Sequence, residues 1–260
     1  MLKTLDKPWR DFFADEFEKR AMPASRTDPF SDDWDFLSRA VWTQDEAARQ
    51  IRQFPAALMH DGEPQFDYLR YLTGERRKYR VRAYEKSRRM LITWWLLALY
   101  LRDLMTEKQS LAAVASDKLQ KSAYLLGPSR MQLIYDLIPP VTAPVEERLR
   151  ALGYEIEPFK ADIWPGKPRV TFEQKEGEGW RLAKCEATGS TIMAVASGET
   201  QMQQYTFSRI LMDEFSRWRQ ARDSWRNAQP TTQGGGEVDI VCTAELGSFA
   251  YDLLYDKVGI

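Results

Sequence analysis

The chain has 260 residues, of which 43% are hydrophobic and 29% charged, so it can bury the core of one large domain or of a domain with an appendage. Its formal net charge of −1 excludes a global basic field that would attract nucleic acid or an acidic membrane, so a polyanionic partner would need a local patch. Two cysteines, Cys185 and Cys242, exclude a disulfide framework, and the single histidine excludes most histidine-based metal sites.

The N-terminal part is predicted to be a helical appendage, residues 1–53, packed on a core domain of residues 54–260. Thr43 followed by Glu46 resembles a capping box, which opens a helix that runs to Phe54. The apolar periodicity predicts helices over residues 9–20, 34–41 and 43–54. The N-terminus has no apolar core of the signal-peptide type, so we expect a soluble protein in a reducing, cytoplasmic setting.

A basic segment precedes the most apolar part of the chain. A short helix over residues 64–72, ended by Gly74, leads into residues 76–82, which carry five lysines and arginines. These cations could contact the phosphates of a nucleic acid. We prefer the interpretation in which they form the solvated edge of a strand.

The stretch over residues 80–104 has the pattern of a phosphate-binding unit. Side chains over residues 80–84 alternate as in a strand, a polar turn follows, and from Met90 the chain is strongly apolar with helical spacing. A helix N-terminus offers free N–H groups to an anion, and Lys, Ser or Thr supply further contacts. The glycines of the usual GxxxxGK[ST] motif are absent. The apolar run over residues 91–101 is too short to span a membrane, so we expect no membrane partner.

Strands and helices alternate through the rest of the chain. We predict strands over residues 110–115, 169–172, 180–185, 191–196, 210–212 and 238–242, and helices over residues 118–126, 129–137, 218–227 and 248–255. This alternation predicts an α/β fold with a mainly parallel central sheet flanked by helices, beside which the strands near residues 169–185 form an inserted hairpin.

Two groups of polar residues fall at predicted strand ends. Lys86 and Thr93 flank one strand-to-helix junction, and Asp213 with Glu214 ends another strand. Since the carboxyl ends of parallel strands share one edge, both groups could face one Mg–nucleotide, with Asp213 holding Mg²⁺ through water and Glu214 acting as general base. Non-functional alternatives are also possible on the sequence: Asp213 and Glu214 as a solvated strand end, and Thr93 as a residue that bonds back to its own helix.

Three segments resemble the large terminase subunits of tailed bacteriophages, the ATP-driven motors that package DNA into proheads. They are KSRRMLIT followed by an apolar helix, ILMDEF, and IVCTAELGSFAYDLL. The resemblance implies a P-loop NTPase fold of the additional-strand catalytic-Glu type, with a deviant Walker A loop and a Walker B pair, Asp213-Glu214. Leu91 stands in place of the usual Gly and Ile92 in place of the usual Lys.

The resemblance also implies roles for individual residues. Lys86 would be the phosphate-contacting lysine, Thr93 the Mg²⁺ hydroxyl and Glu214 the catalytic general base, with Arg89 as a further catalytic residue. The nucleotide-binding loop would comprise Lys86, Ser87, Arg88, Arg89, Met90, Leu91, Ile92 and Thr93. Coupling of hydrolysis to movement would fall to Cys242, Thr243 and Ala244. Phe66 and Arg82 are candidates for the adenine contact, and Arg130, Arg209, Arg217 and Arg219 for an arginine finger.

The resemblance further implies ATP and Mg²⁺ as cofactors, and double-stranded DNA, the portal protein and the small terminase subunit as partners. The protein would act in the cytoplasm of an infected bacterium as a ring on the portal, while the isolated domain would be a monomer. The nuclease domain of the family is expected to be absent from this chain. Two alternatives stay open: a degenerate nucleotide-binding or docking module without hydrolysis, and another P-loop DNA motor such as a helicase.

Overall fold

The structure of the chain is a computed structural model. It describes residues 32–45, 49–54, 59–60, 63–64, 68–86, 91–138, 143–156, 167–175, 179–198, 202, 204–243 and 245–255. No helix within these ranges is long and apolar enough to cross a membrane. The helix predicted over residues 9–20 lies outside them.

The described part of the N-terminal appendage contains strands as well as a helix. Its elements are α1 (Asp33–Ala40), β1 (Trp42–Asp45) and β2 (Gln50–Gln53). The helix predicted over residues 34–41 is confirmed, and Asp32 caps it by accepting the backbone N–H groups of Trp34 and Asp35.

The helix predicted over residues 43–54 is wrong. β1 and β2 pair antiparallel, with Thr43 opposite Arg52, and the N–H of Phe54 bonds to the carbonyl of Val41 at 2.8 Å. Ile51 and Phe54 are fully buried in the main core. The capping-box pattern is a local signal. Strand pairing and burial against the rest of the domain stabilise the extended conformation more than the local pattern favours a helix.

Two short strands and a helix follow. β3 (Met59–His60) pairs antiparallel with β4 (Glu63–Pro64), and α2 covers Tyr68–Arg76. The predicted helix over residues 64–72 is therefore displaced, because Gly74 lies inside α2 and does not end it. The last turn is held by Arg76, which is 1% exposed and pairs with Asp103 at 3.1 Å.

Within the described residues, the main sheet has seven strands in the order β5-β12-β11-β6-β10-β9-β8. These strands are β5 (Val81–Glu85), β6 (Leu111–Ser116), β8 (Val170–Lys175), β9 (Gly179–Cys185), β10 (Ser190–Ala196), β11 (Arg209–Met212) and β12 (Glu237–Cys242). The pairs from β5 to β10 are parallel, and β8 and β9 add an antiparallel hairpin at one edge. The predicted α/β class is confirmed, as is the inserted hairpin.

Helices cover both faces of this sheet. They are α3 (Ile92–Thr106), α4 (Leu119–Leu126), α5 (Met131–Leu137), α6 (Ala143–Ala151), α7 (Ala221–Gln233) and α8 (Phe249–Leu254), with a 3-10 turn at Phe215–Arg217. The sequence prediction missed α6 and the short strand β7 (Glu155–Ile156), which pairs with β2. It also ended α7 six residues early.

Alternate strand residues point into two separate cores. On β6, Val114 belongs to the core that contains α3, whereas Ala113 and Ala115 belong to the core that contains α7 and α8. α3 is buried around nearly its whole circumference because it lies between the sheet and the helices α1 and α5. An apolar helix of this kind fixes the position of its own N-terminus relative to the strand ends.

A buried ionic cluster lies beneath α3 on the same face. The fully buried Asp239 of β12 accepts two bonds from the directly opposite Arg82, at 2.6 and 3.0 Å. Tyr84 and Tyr100 donate their hydroxyls to the same carboxylate at 3.2 and 3.0 Å. Burial raises the pKa of both phenols, which therefore stay protonated as donors.

Four of the five cations of the basic segment over residues 76–82 form ion pairs with acids of the same chain. Arg77 binds both carboxylate oxygens of Asp33 at 3.0 Å, and Lys78 pairs with Glu75 at 2.7 Å. Because Arg76 and Arg82 are buried, the solvated strand edge is wrong for these two residues. The cations that were candidates for phosphate contact thus include two that bind acids in the core.

Candidate nucleotide site

The candidate site lies at the carboxyl edge of the parallel strands, where three of them end side by side. Lys86 follows β5, Asp213 follows β11, and Thr243 follows β12, which separates the other two strands. The N–H of Lys86 bonds to the carbonyl of Cys242 at 2.9 Å, so the start of the loop is fixed to the end of β12. Thr93 enters from the first turn of α3.

Lys86, Thr93 and Asp213 form one chain of hydrogen bonds. The Lys86 Nζ donates to Thr93 Oγ1 at 2.7 Å, and Thr93 Oγ1 donates to Asp213 Oδ1 at 2.8 Å. Thr93 and Asp213 are 120 positions apart in the chain. The expectation that the two strand-end groups meet is therefore confirmed, and the alternative in which Thr93 only bonds back to its own helix is wrong.

The Asp213 carboxylate is held in a largely buried position. The residue is 8% exposed, and burial raises the pKa of the carboxyl, while the nearby Lys86 charge and the Thr93 hydroxyl favour the ionised form. Its own backbone is fixed on both sides, since its N–H bonds to Ala115 and its carbonyl accepts the indole N–H of Trp218 at 3.0 Å. A buried carboxylate beside a cation gains from any further positive charge that reaches it.

Glu214 differs from its neighbour in both exposure and backbone. Its side chain is 41% exposed, and its φ of +52° places it in the left-handed region. Lys121 Nζ lies 3.4 Å and Arg217 Nη1 lies 3.7 Å from its Oε2. A non-glycine residue in this region is strained by about 1–2 kcal/mol, a cost that occurs at functional sites more often than elsewhere.

Leu91 occupies the position where the resemblance places the loop glycine. Its φ of +54° and ψ of 12° are left-handed, although it carries a Cβ, and it precedes α3 without a side-chain cap. The N–H of Trp95 bonds to its carbonyl at 2.9 Å, so this conformation directly opens the helix. The loop thus has the backbone turn of a glycine at this point without the glycine.

Replacing Leu91 with glycine is expected to give a more stable protein than replacing it with alanine, by about 1 kcal/mol. Both changes remove the same partly buried side chain, but only glycine adopts a positive φ without a Cβ clash. Elsewhere alanine would be favoured by roughly 0.5–1 kcal/mol, so the order of the two variants is diagnostic. Urea unfolding of the two proteins measures the difference, and a more stable Leu91→Ala would contradict the left-handed backbone.

The oxygens of Thr93 and Asp213 fit Mg²⁺, which prefers oxygen ligands and keeps several water molecules. No group of three or more acidic, cysteine or histidine side chains that could hold a metal ion occurs among the described residues. Such a site would depend on nucleotide phosphates for the remaining ligands.

The structure places the other predicted site residues as follows. Ile92 is 3% exposed and packs in the main core, so its side chain does not replace a lysine. Cys242 is 1% exposed at the end of β12, where burial raises the pKa of its thiol to about 11, and Thr243 beyond it is exposed. The predicted residues outside the described ranges are Phe66, Ser87, Arg88, Arg89, Met90 and Ala244.

Arg82 is better explained by the fold than by an adenine contact. It lies towards the start of β5, away from the loop, and its guanidinium binds Asp239, Glu237 and backbone carbonyls. Arg209, an arginine-finger candidate, binds both oxygens of Glu107 at 2.6 and 2.8 Å at the start of β11. Both arginines thus bind acids near the amino ends of the strands, which argues against an adenine contact by Arg82 and an arginine-finger role for Arg209.

Sequence reasoning missed two residues near Glu214. Asp117 follows β6, and Lys121 in α4 pairs with it at 2.9 Å while also reaching Glu214. The sequence feature that could have indicated them is an acid, Asp117, at a third strand end, followed four positions later by a lysine. Because the neighbour of β11 in the sheet is not evident from the sequence, nothing connected this pair with Glu214.

Comparison with known proteins gives structural matches alone. No family model matches the chain, and no curated protein matches its sequence. The large terminase of bacteriophage HK97 is similar in structure, with a TM-score of 0.50 and 12% identity over 76% of this chain and 38% of that chain. This chain therefore matches well under half of that protein.

Two further structures are less similar. They are the ATPase domain of the Thermus phage P74-26 large terminase (TM-score 0.39, 11% identity, 66% of this chain and 62% of that chain) and the large terminase of the thermophilic bacteriophage D6E in complex with ADP (0.36, 10%, 62% and 33%). At this level of identity, the HK97 similarity shows that the chain shares the fold of the matched part of that large terminase.

Proposed function

We propose that this protein is the ATPase motor domain of a viral DNA-packaging terminase, which hydrolyses ATP with Mg²⁺ to move double-stranded DNA into a prohead. The single observation that carries the proposal is the hydrogen-bonded chain of Lys86, Thr93 and Asp213 at the carboxyl edge of the sheet. These three side chains are the cation, hydroxyl and acid that a Mg–triphosphate requires, and they meet where α/β sheets bind ligands.

Lys86 is proposed to contact the phosphates from the first position of the loop. The usual lysine position is taken by the buried Ile92, whereas the Lys86 Nζ already lies 2.7 Å from Thr93 Oγ1. A cation in contact with the Mg²⁺-binding hydroxyl is close enough to reach a β- or γ-phosphate bound there. The loop residues Ser87, Arg88, Arg89 and Met90 would add backbone N–H groups, and Arg89 a second cation.

Thr93 and Asp213 would hold Mg²⁺, the first directly and the second through water. The bound ion would neutralise charge that develops on the transferred phosphoryl group. Glu214 would accept a proton from the attacking water, for which its exposed carboxylate is available at the same edge. Phe66 remains the candidate for the adenine contact, with Arg130, Arg217 and Arg219 as candidates for an arginine finger.

We propose that ATP hydrolysis at this site is coupled to DNA movement through the residues at the end of β12. The carbonyl of Cys242 accepts the N–H of Lys86, so a shift of the phosphate loop acts directly on Cys242, Thr243 and Ala244. Because Thr243 is exposed, the segment beyond the strand is free to contact a partner. The rest of the domain is fixed by its two buried cores.

The proposed partners are double-stranded DNA, the portal protein and the small terminase subunit, in the cytoplasm of an infected bacterium. The motor would act as a ring on the portal and the isolated domain as a monomer. In this proposal residues 54–260 form the ATPase domain and residues 1–53 form the appendage. The described part of the appendage is joined to that domain by Asp33, which binds Arg77 and Arg102.

The experiment is ATP turnover by the purified chain, measured as released phosphate with Mg²⁺ and after chelation. We expect turnover with Mg²⁺ and only background after chelation, restored when Mg²⁺ is added back. The alternative of a docking module is favoured by one observation: Ile92, buried in the main core, occupies the usual position of the phosphate-binding lysine. Tight ATP binding without Mg²⁺-dependent turnover would support that module and overturn the motor.

A further inference from the structure

Lys121, which is held by Asp117 at the end of a neighbouring strand, contacts Glu214. Asp117 follows β6, which pairs directly with β11, and Lys121 lies one helical turn along, in α4. Lys121 Nζ is 2.9 Å from Asp117 Oδ1 and 3.4 Å from Glu214 Oε2. The lysine thus bridges an acid of one strand end to the proposed general base at the next.

The contacts on Glu214 favour one of its two carboxylate oxygens. Lys121 and Arg217 come nearest to Oε2, and no hydrogen bond from the described residues engages Oε1. A carboxylate anchored through one oxygen and open at the other has a defined direction in which it can accept a proton from water. Anchoring also removes rotamer freedom that an exposed glutamate would otherwise retain.

We propose that Lys121 is a positioning residue that holds the Glu214 carboxylate in its productive orientation, and that Asp117 fixes Lys121 for this task. The inference rests on the proposed ATPase function and assigns a new residue to it. In this proposal Lys121 makes no contact with the phosphates. It acts on the reaction through Glu214 alone.

Lys121 suits this role better than Arg217 does. Arg217 is three positions from Glu214 in the same turn and lies farther from its carboxylate, at 3.7 Å. Lys121 belongs to a different element and is itself held by Asp117, so it fixes Glu214 relative to β6. Exposed ion pairs of this kind contribute little to folding stability, so their effect is expected in the rate of turnover.

The test is a kinetic cycle in ATP turnover with Lys121→Met, Glu214→Gln and the double variant. We expect Lys121→Met to lower kcat about tenfold or more, as misplacement of a catalytic group does, with KM for ATP changed less than about twofold. In the Glu214→Gln background the same change should have no further effect. Lys121→Arg should recover most of the lost rate, and Asp117→Asn should give an intermediate loss.

Lys118→Met is the matched control, because it removes the same charge three residues away at an exposed position before α4. It should leave kcat at the wild-type value. An unchanged or raised kcat in Lys121→Met, or an equal loss in the Glu214→Gln background, would overturn the positioning role while leaving the ATPase intact. A wild-type chain without Mg²⁺-dependent turnover, or a Glu214→Gln variant as active as wild type, would overturn the proposed function instead.

Discussion

Replacing Lys86 with alanine is expected to lower ATP turnover by about 10²–10³-fold, as removal of one charge-stabilising donor does at other active sites. The side chain donates to Thr93 and faces the buried Asp213, so its loss leaves that carboxylate without its nearest cation. Nucleotide affinity should also fall about tenfold or more, because a hydrogen bond to a charged group contributes roughly 1.5–3 kcal/mol.

Two comparisons make this result specific. Glu214→Gln should lose turnover while retaining nucleotide affinity, since Glu214 is proposed to act on water and not on the phosphates. Lys78→Ala removes an exposed lysine at the opposite end of β5 and should change neither quantity. Turnover is measured as released phosphate, and affinity by titration with a fluorescent ATP analogue. Wild-type affinity and turnover in Lys86→Ala would show that the first position of the loop does not supply the phosphate cation.

Replacing Arg82 with methionine is expected to lower the free energy of unfolding by about 3–5 kcal/mol, the usual cost of breaking a buried ion pair. Asp239 is fully buried, and Arg82 supplies two of its hydrogen bonds from the directly opposite position of β5. The tyrosine hydroxyls of Tyr84 and Tyr100 would remain, but they carry no charge to offset the carboxylate. The lost stability concerns β5, which is followed by Lys86, and β12, which ends at Cys242.

Urea unfolding followed by circular dichroism measures this loss. Arg80→Met changes an exposed arginine two positions away and should stay within about 0.5 kcal/mol of wild type. Removing both charges, as Arg82→Met with Asp239→Leu, should be less damaging than Arg82→Met alone, because no buried charge is left unpaired. If Arg82→Met were as stable as Arg80→Met, the arginine would not be part of a buried cluster, and its assignment to the adenine contact would regain support.

Local sequence patterns predicted the elements whose signal is strong in the chain itself. The apolar run from Met90 predicted α3, and the buried strands β6 and β10 were evident from short apolar runs bounded by polar residues. The helix predicted over residues 43–54 failed because β1 pairs with β2, and β2 pairs in turn with β7, where Glu155 lies opposite Gln50, 105 positions away. A capping-box signature has no information about such partners.

The residues of the candidate site likewise include some that the sequence could predict and some that it could not. Lys86, Thr93, Asp213 and Glu214 were identifiable because each follows or precedes a predictable element and carries the chemistry of a nucleotide site. Arg82 was misassigned because its sequence context, a cation in a strand near the loop, does not reveal that Asp239 lies opposite it. Lys121 was missed for a related reason, since its link to Glu214 exists only through the pairing of β6 with β11.

The sequence by itself determined the alternation of strands and helices, the buried helix after the loop, and the residue types available at each strand end. These follow from hydrophobic periodicity and from side-chain chemistry, which are properties of short segments. The tertiary structure alone decided which strands are neighbours, and therefore which distant side chains touch. It placed β12 between β5 and β11, buried Arg82 against Asp239, and brought Lys121 to Glu214, because strand order and register are set by packing over the whole domain.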